Sequence, residues 1–348
     1  MTTPTLYQRY QQLKQEQAHL RQRDAASALG VSEAALVASL PETTPLYCQP
    51  ARLLPALAAL GRLKSITRNQ AVVHETQGEY RNLTLSENTG LVLNPDGLDL
   101  RLFLSHWRHA YAVRQPGPHG LQHSLQFFDA AGAAINKLYL LQEDKLPAWE
   151  NLLQTHRLPG DAALPEASRV TAPPRPAAAS SDTSGFADAW LALQDVHHFH
   201  ALLKRYGLQR QQAFRLAPPG FAQRLHGTAL TALLEGAAAS ALPIMAFVGN
   251  RGMVQIHTGP IQAVRRVGPW LNVLDPAFNL HILEEQLDEL WLLRRPTRDG
   301  VITSVEIFDA AGESVLSFFG QRREGEPELS AWRALAAALP VQEAQHAA

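Results

Sequence analysis

The pentapeptide FDAAG occurs twice in this chain, at 128–132 and at 308–312, and each copy sits inside a longer stretch that echoes the other. Upstream, VLNPDGLDLRLFL at 92–104 faces VLDPAFNLHILEE at 273–285, and HWRHAYAVRQP at 106–116 faces QLDELWLLRRP at 286–296. Near the start of each half an apolar helical pattern breaks at a glycine and resumes, in AASALGVSEAAL at 25–36 and in ALLKRYGLQRQQAF at 201–214. Such a chain folds as two copies of one structural unit. Its 348 residues suit this, since they exceed the ~100–200 of a usual domain and can fill two cores.

Between the copies, residues 157–185 combine Pro, Ala, Ser and Gly without hydrophobic periodicity, the composition of a semi-extended linker. The reading is therefore an N-terminal repeat over 1–156, a linker over 157–185, a C-terminal repeat over 186–340 and a short tail over 341–348. Each repeat reads as helices first, then a meander of short strands with near-alternating hydrophobicity. Turn signals such as Asn94-Pro95-Asp96-Gly97 and Arg298-Asp299-Gly300 punctuate the strands. The fold class is α+β: a tandem duplication in which large antiparallel sheets pack centrally, helices flank them, and a ligand cleft opens between sheet and helices.

With 46% hydrophobic and 18% charged residues the chain can bury enough apolar surface to fold. Its 31 basic and 32 acidic side chains create no global field toward nucleic acid or an anionic membrane. The N-terminus lacks the apolar stretch of a secretory signal, and no run approaches the ~20 apolar residues of a membrane span, so a cytoplasmic location is expected. A single cysteine, Cys48, excludes an intramolecular disulfide and a cysteine-based zinc or iron–sulfur cage. Fourteen histidines make imidazole the metal ligand to look for.

The segment FADAWLALQDVHHFHALLKRYG at 186–207 predicts one helix stopped by Gly207. At 3.6 residues per turn, His197 and His200 share a face with Trp190 and Leu193, and His198 points about 100° away from His197. A neutral imidazole beside aromatic and aliphatic residues suits a haem iron, but the pattern alone more often marks a satisfied core histidine with two solvated ones. A zinc site is less well supported, because no HExxH arrangement is present and no third ligand can be named. In the first half, residues 24–38 have helix-turn-helix spacing, which raises a DNA-binding regulator as a remote alternative. The would-be recognition segment SEAALVASL holds no Arg, Lys, Asn or Gln to read base edges, which counts against it.

Five blocks, in order, resemble the HemS/ChuS/PhuS family of bacterial cytoplasmic haem-handling proteins over almost the whole chain. They are Leu100-Arg101-Leu102-Phe103 with His106-Trp107, then Asp195-Val196-His197 with Leu202-Leu203-Lys204-Arg205. Phe247-Val248-Gly249-Asn250 with Gln255-Ile256-His257-Thr258-Gly259 follows, then Arg295-Pro296-Thr297 and Gly320-Gln321-Arg322. The resemblance implies two tandem repeats and a haem cleft in the C-terminal half. It further implies that His197 is the iron ligand, that Arg101 serves the other haem face, and that Phe103 and Phe247 line the distal side. Arg210, Arg295 and Arg322 fall where the family places basic side chains around the propionates, which a guanidinium can grip bidentately.

Where many members continue Gln-Phe-Phe after the ligand, this chain has His198-Phe199-His200, a continuation similar to the PhuS branch. It makes His198 and His200 candidate exchange ligands. Arg295 stands where Lys is frequent. The implied function is a haem-binding protein that takes haem b (iron protoporphyrin IX) from an importer and delivers it to a haem oxygenase, as a monomer or weak homodimer. The alternative is a haem-degrading enzyme that opens the porphyrin to a bilin and releases iron. A second haem site at His74 in the first half is a remote expectation, since Glu75 beside it would repel propionates.

Overall fold

The computed structural model describes residues 4–117, 120–159, 182–323 and 325–342. The expected linker therefore lies outside the described residues from 160 to 181, and the expected tail from 343 onward. The first half contributes helices α1 (Leu6–Glu16), α2 (Gln22–Ala28), α3 (Glu33–Ala38), α4 (Pro50–Ala56) and α5 (Leu146–His156). The second contributes α6 (Phe186–Leu191), α7 (His198–Tyr206), α8 (Arg210–Arg215), α9 (Ala229–Ala239) and α10 (Ser330–Ala337). Gly30 and Gly207, at φ +68° and +62°, follow α2 and α7 in the left-handed conformation that closes a helix and that glycine adopts without a Cβ penalty.

Among the described residues, nine strands belong to each half. The first nine are β1 (Thr43–Leu46), β2 (Arg62–Arg68), β3 (Val72–Glu79), β4 (Leu83–Leu85), β5 (Thr89–Leu93), β6 (Asp99–Phe103), β7 (His109–Gly117), β8 (Gly120–Phe128) and β9 (Ala134–Leu140). The second nine are β10 (Ala222–Leu225), β11 (Ile244–Gly249), β12 (Met253–Gly259), β13 (Val264–Val267), β14 (Trp270–Leu274), β15 (Phe278–Leu283), β16 (Glu289–Thr297), β17 (Gly300–Phe308) and β18 (Ser314–Gly320). Burial alternates along β2 and β11, as expected for strands with one face in a core.

The two sheets have orders β1-β7-β8-β9-β2-β3-β15-β14-β13 and β10-β16-β17-β18-β11-β12-β6-β5-β4. Replacing each strand by its counterpart in the other half converts one order into the other, so the duplication read from FDAAG is a duplication of topology. Each sheet takes six strands from one half and three from the other, an exchange that the sequence pattern did not predict. The FDAAG copies form the same turn twice. Asp129 Oδ1 accepts from the N–H groups of Ala131 and Ala133, both at 2.9 Å, and Asp309 Oδ1 from those of Ala311 and Glu313, at 3.0 and 2.9 Å. Gly132 and Gly312 close these turns at φ +74° and +80°.

The described residues form two compact units, one drawn from residues 4–68, 75–159 and 249–255, the other from residues 69–74, 182–248 and 256–342. Leu63, Leu100, Trp107, Phe127, Leu138 and Met253 lie in the main core of the first. In the second, Leu233, Ile244, Leu292, Val305, Phe318 and Trp332 mark one core, and Phe186, Trp190, Phe199, Phe214 and Trp291 mark another under α7. No helix among the described residues is long and apolar enough to cross a membrane.

Candidate functional site

The expected single helix over 186–207 is broken. α6 ends at Leu191, and His197 is the N-cap of α7 rather than an interior position. The cause is local. Asp195 Oδ1 accepts the His197 backbone N–H at 2.8 Å, a side-chain turn that competes with helical hydrogen bonding. The β16–β17 turn reinforces the break, since the Arg298 N–H donates to the Gln194 carbonyl at 3.1 Å. Trp190 Nε1 donates to the Arg294 carbonyl at 3.0 Å on the same hairpin.

The break also overturns the predicted face-sharing. Trp190 and Leu193 are core residues, whereas the His197 side chain is 87% exposed and His198 and His200 are exposed too. The His197 ring Nδ1 lies 2.6 Å from Asp195 Oδ1. The Asp195 carboxyl is held below the usual carboxylate range, chiefly by the His197 backbone N–H. A carboxylate is acceptor-only, so in the neutral ring Nδ1 carries the proton and Nε2 the lone pair, the arrangement typical of a metal-ligating imidazole.

Beneath α7 lies a buried charge cluster. Arg210, first residue of α8, donates from Nε and Nη2 to the two oxygens of Glu306 on β17, both at 3.0 Å. Arg295 on β16 donates from Nη2 to Glu306 Oε1 at 2.5 Å and from Nη1 to Ser304 Oγ at 3.1 Å. Both guanidinium groups face the Phe199 ring of α7, at 5.7 Å for Arg210 and 4.5 Å for Arg295. Burial pushes the Glu306 carboxyl up, but Arg210 and Arg295 together pull it down further, to about 2. Arg295 is buried, while the Arg210 side chain remains 40% exposed.

Arg322 follows β18 and approaches Asp299 of the β16–β17 turn at 4.0 Å. Its Nη1 is buried and makes no hydrogen bond to a described residue. Phe247 on β11 is half-buried, its ring 5.1 Å from that of Phe319. His197, Arg210, Arg295, Arg322 and Phe247 therefore all belong to the second unit. Arg101 and Phe103 are on β6 in the first unit; Arg101 pairs with Asp99, and the Phe103 side chain is open to solvent, the residue being 37% exposed.

Asp195 as an orienting group, and Glu306, Ser304 and Phe199, were not singled out from the sequence. A signal was there: where the second half has Arg295 and Glu306 on paired strands, the first has Gln115 and Gln126 at the matching register positions. The glycine-aligned counterpart of Arg210 is Glu33. Two neutral amides and an acid thus stand where the second half carries a cation pair around a carboxylate.

Two remote expectations fare poorly. The helix pair at 24–38 exists, but Ala34 and Val37 pack on Tyr111, Val113 and Phe128, and Glu33 is buried against Lys137 at 2.6 Å and against Arg68. The surface that a recognition helix must offer is core here. His74 is fully buried, edge-on to Phe278 at 5.0 Å, and so offers no open face to a second haem. No cluster of three potential metal ligands occurs among the described residues.

Fold and site together define a duplicated α+β protein with exchanged sheet strands and one exposed, carboxylate-oriented histidine beside a buried arginine–glutamate cluster. The family model described as the haemin-degrading HemS.ChuX domain matches residues 30–156 and again 207–339. The hemin transport protein HmuS of Yersinia pestis is 42% identical over 331 residues, covering 94% of this chain and 95% of that protein. The crystal structure of holo-PhuS, a heme-binding protein from Pseudomonas aeruginosa, superposes with a TM-score of 0.90 at 44% identity, covering 97% of this chain and 99% of that one. That of the heme degrading enzyme ChuS of Escherichia coli O157:H7 has a TM-score of 0.88 at 37% identity, covering 96% and 98%. The chain belongs to the HemS family.

Proposed function

We propose that this protein binds haem b through His197 and hands it on, accepting it from an importer and delivering it to a haem oxygenase. The observation that carries the reading is the His197 ring, exposed at the start of α7 with Nδ1 held by Asp195 and Nε2 open. The relatives' descriptions as hemin transport and heme-binding proteins support it. Arg210 and Arg322 would meet the propionates, with Arg295 adding positive charge behind Arg210. Phe247 would line the distal side. Transfer would exploit His198 and His200 as exchange ligands. A haemin titration followed by absorbance tests this: a saturable Soret band is expected, shifted and weakened in affinity for His197→Ala. An unaltered spectrum and affinity in that variant would overturn it.

A second reading is degradation, favoured by the family model's description and by the description of ChuS as a heme degrading enzyme. Ascorbate added to the haem complex with catalase present separates the two. A Soret band that persists is expected for a carrier, and decay to a bilin would establish an enzyme.

A further inference from the structure

Three exposed histidines crowd four positions at the start of α7, and an iron could in principle take any of them. One is treated differently by the fold. Asp195 Oδ1 holds both the backbone N–H and the ring Nδ1–H of His197, at 2.8 and 2.6 Å. Neither His198 nor His200 makes a side-chain hydrogen bond to another described residue. The connector that carries Asp195 is itself anchored, through Gln194 to the Arg298 N–H and through Trp190 to the Arg294 carbonyl.

We infer that Asp195 is the positioning residue that selects His197, rather than His198 or His200, as the iron ligand of this site. The inference rests on the haem-binding reading and deepens it. Accepting the Nδ1–H bond fixes the tautomer with its lone pair on Nε2 and fixes the ring's direction. An anionic acceptor also drives electron density toward the nitrogen that meets the metal. His198 and His200 must choose tautomer and rotamer unaided, so each is the poorer resting ligand and the readier exchange ligand. The site thus has one oriented histidine for holding haem and two free ones for passing it along.

The test is Asp195→Asn. This variant keeps the shape and can still accept the His197 backbone N–H, but it removes the charge. Haemin affinity is expected to fall about 10- to 100-fold, the usual effect of losing such a partner. The iron–imidazole stretching band of the ferrous complex, read by resonance Raman, should move to lower frequency while the melting temperature of the haem-free protein stays unchanged. In His198→Ala/His200→Ala the wild-type band should persist. An Asp195→Asn complex with wild-type affinity and band position would overturn the inference. A wild-type band that survives His197→Ala would overturn the haem reading at this histidine, and Asp195's role with it. The two failures are therefore distinguishable.

Discussion

Asn69 and Asn250 form the same turn, one in each half of the chain. Asn250 Oδ1 accepts from the N–H groups of Gly252 and Met253 at 2.9 and 3.1 Å, and Asn69 Oδ1 from those of Ala71 and Val72 at 3.1 and 2.9 Å. The amide nitrogens then reach a neighbouring strand: Asn250 donates to the carbonyls of Ile135 and Arg68 at 2.9 and 3.1 Å, and Asn69 to that of Val315 at 2.7 Å. Each asparagine closes its hairpin and ties it sideways within its own unit. Replacing Asn250 by Ala orphans carbonyls that have little access to water, and a loss of about 2–4 kcal/mol is expected. Asn250→Asp keeps the turn but sets a carboxylate against two carbonyl oxygens, so it should not restore stability. Urea midpoints of the two variants against wild type decide this.

Gly252, beside that turn, has no room for a side chain. A Cβ there would meet the Ile135 side chain at 2.5 Å, while the Gly252 carbonyl accepts from Trp107 Nε1 at 3.0 Å and from the Phe103 N–H at 2.9 Å, which fixes the backbone. Gly252→Ala should cost about 1–3 kcal/mol through overpacking. Ile135→Ala in the same chain should recover part of the loss, a coupling that thermal melts of the four variants would reveal.

Glu306 joins Arg210 and Arg295, and its removal is not a simple loss of one bond. Glu306→Gln leaves the buried Arg295 guanidinium without a counter-charge and should destabilise the protein by about 3–5 kcal/mol. The first half carries the neutral pair Gln115 and Gln126 at the matching positions. The pair Arg295→Gln/Glu306→Gln is therefore expected to be less destabilised than Glu306→Gln alone. A double-mutant cycle with an additive result would show that the two charges do not sustain each other.

The duplication and the strand meanders could be read in advance because repeated motifs and alternating hydrophobicity are written along the chain itself. The break before α7 could not. AWLALQDVHHFH contains good helix formers and no Gly or Pro, and what interrupts it is one Asp oxygen together with a carbonyl taken by the distant Arg298 N–H. The exchange of β4–β6 and β13–β15 between sheets was equally hidden, since alternation specifies a strand's buried face but not its partner. His197 was put forward by resemblance, and helical spacing placed it on a face with Trp190 and Leu193 that the structure does not form. The orientation that singles it out was visible only in three dimensions, as was Glu306, which lies in a strand of ordinary appearance.

Acid should weaken the fold in two stages. The His257 ring stacks on Phe278 at 3.7 Å, its Nε2 is buried without a hydrogen bond to a described residue, and burial pushes its pKa down from 6.5 to about 4. The unfolded chain thus binds more protons than the folded one between these values. The contribution is complete above pH 6.5 and is lost as pH falls toward 4, by about 3 kcal/mol at most. Glu306 acts in a lower window. Its folded value near 2 lies below the 4.5 of a free carboxylate, so its contribution is present above pH 4.5 and is lost as pH falls through 2. Urea unfolding measured at steps from pH 8 to pH 3 should show the upper decline in wild type and a flatter one in His257→Phe, which keeps a ring on Phe278. Some slope will remain from His109, whose pKa burial also lowers. The decline below pH 4.5 should persist in His257→Phe, and an upper decline of undiminished slope would place the titrating group elsewhere.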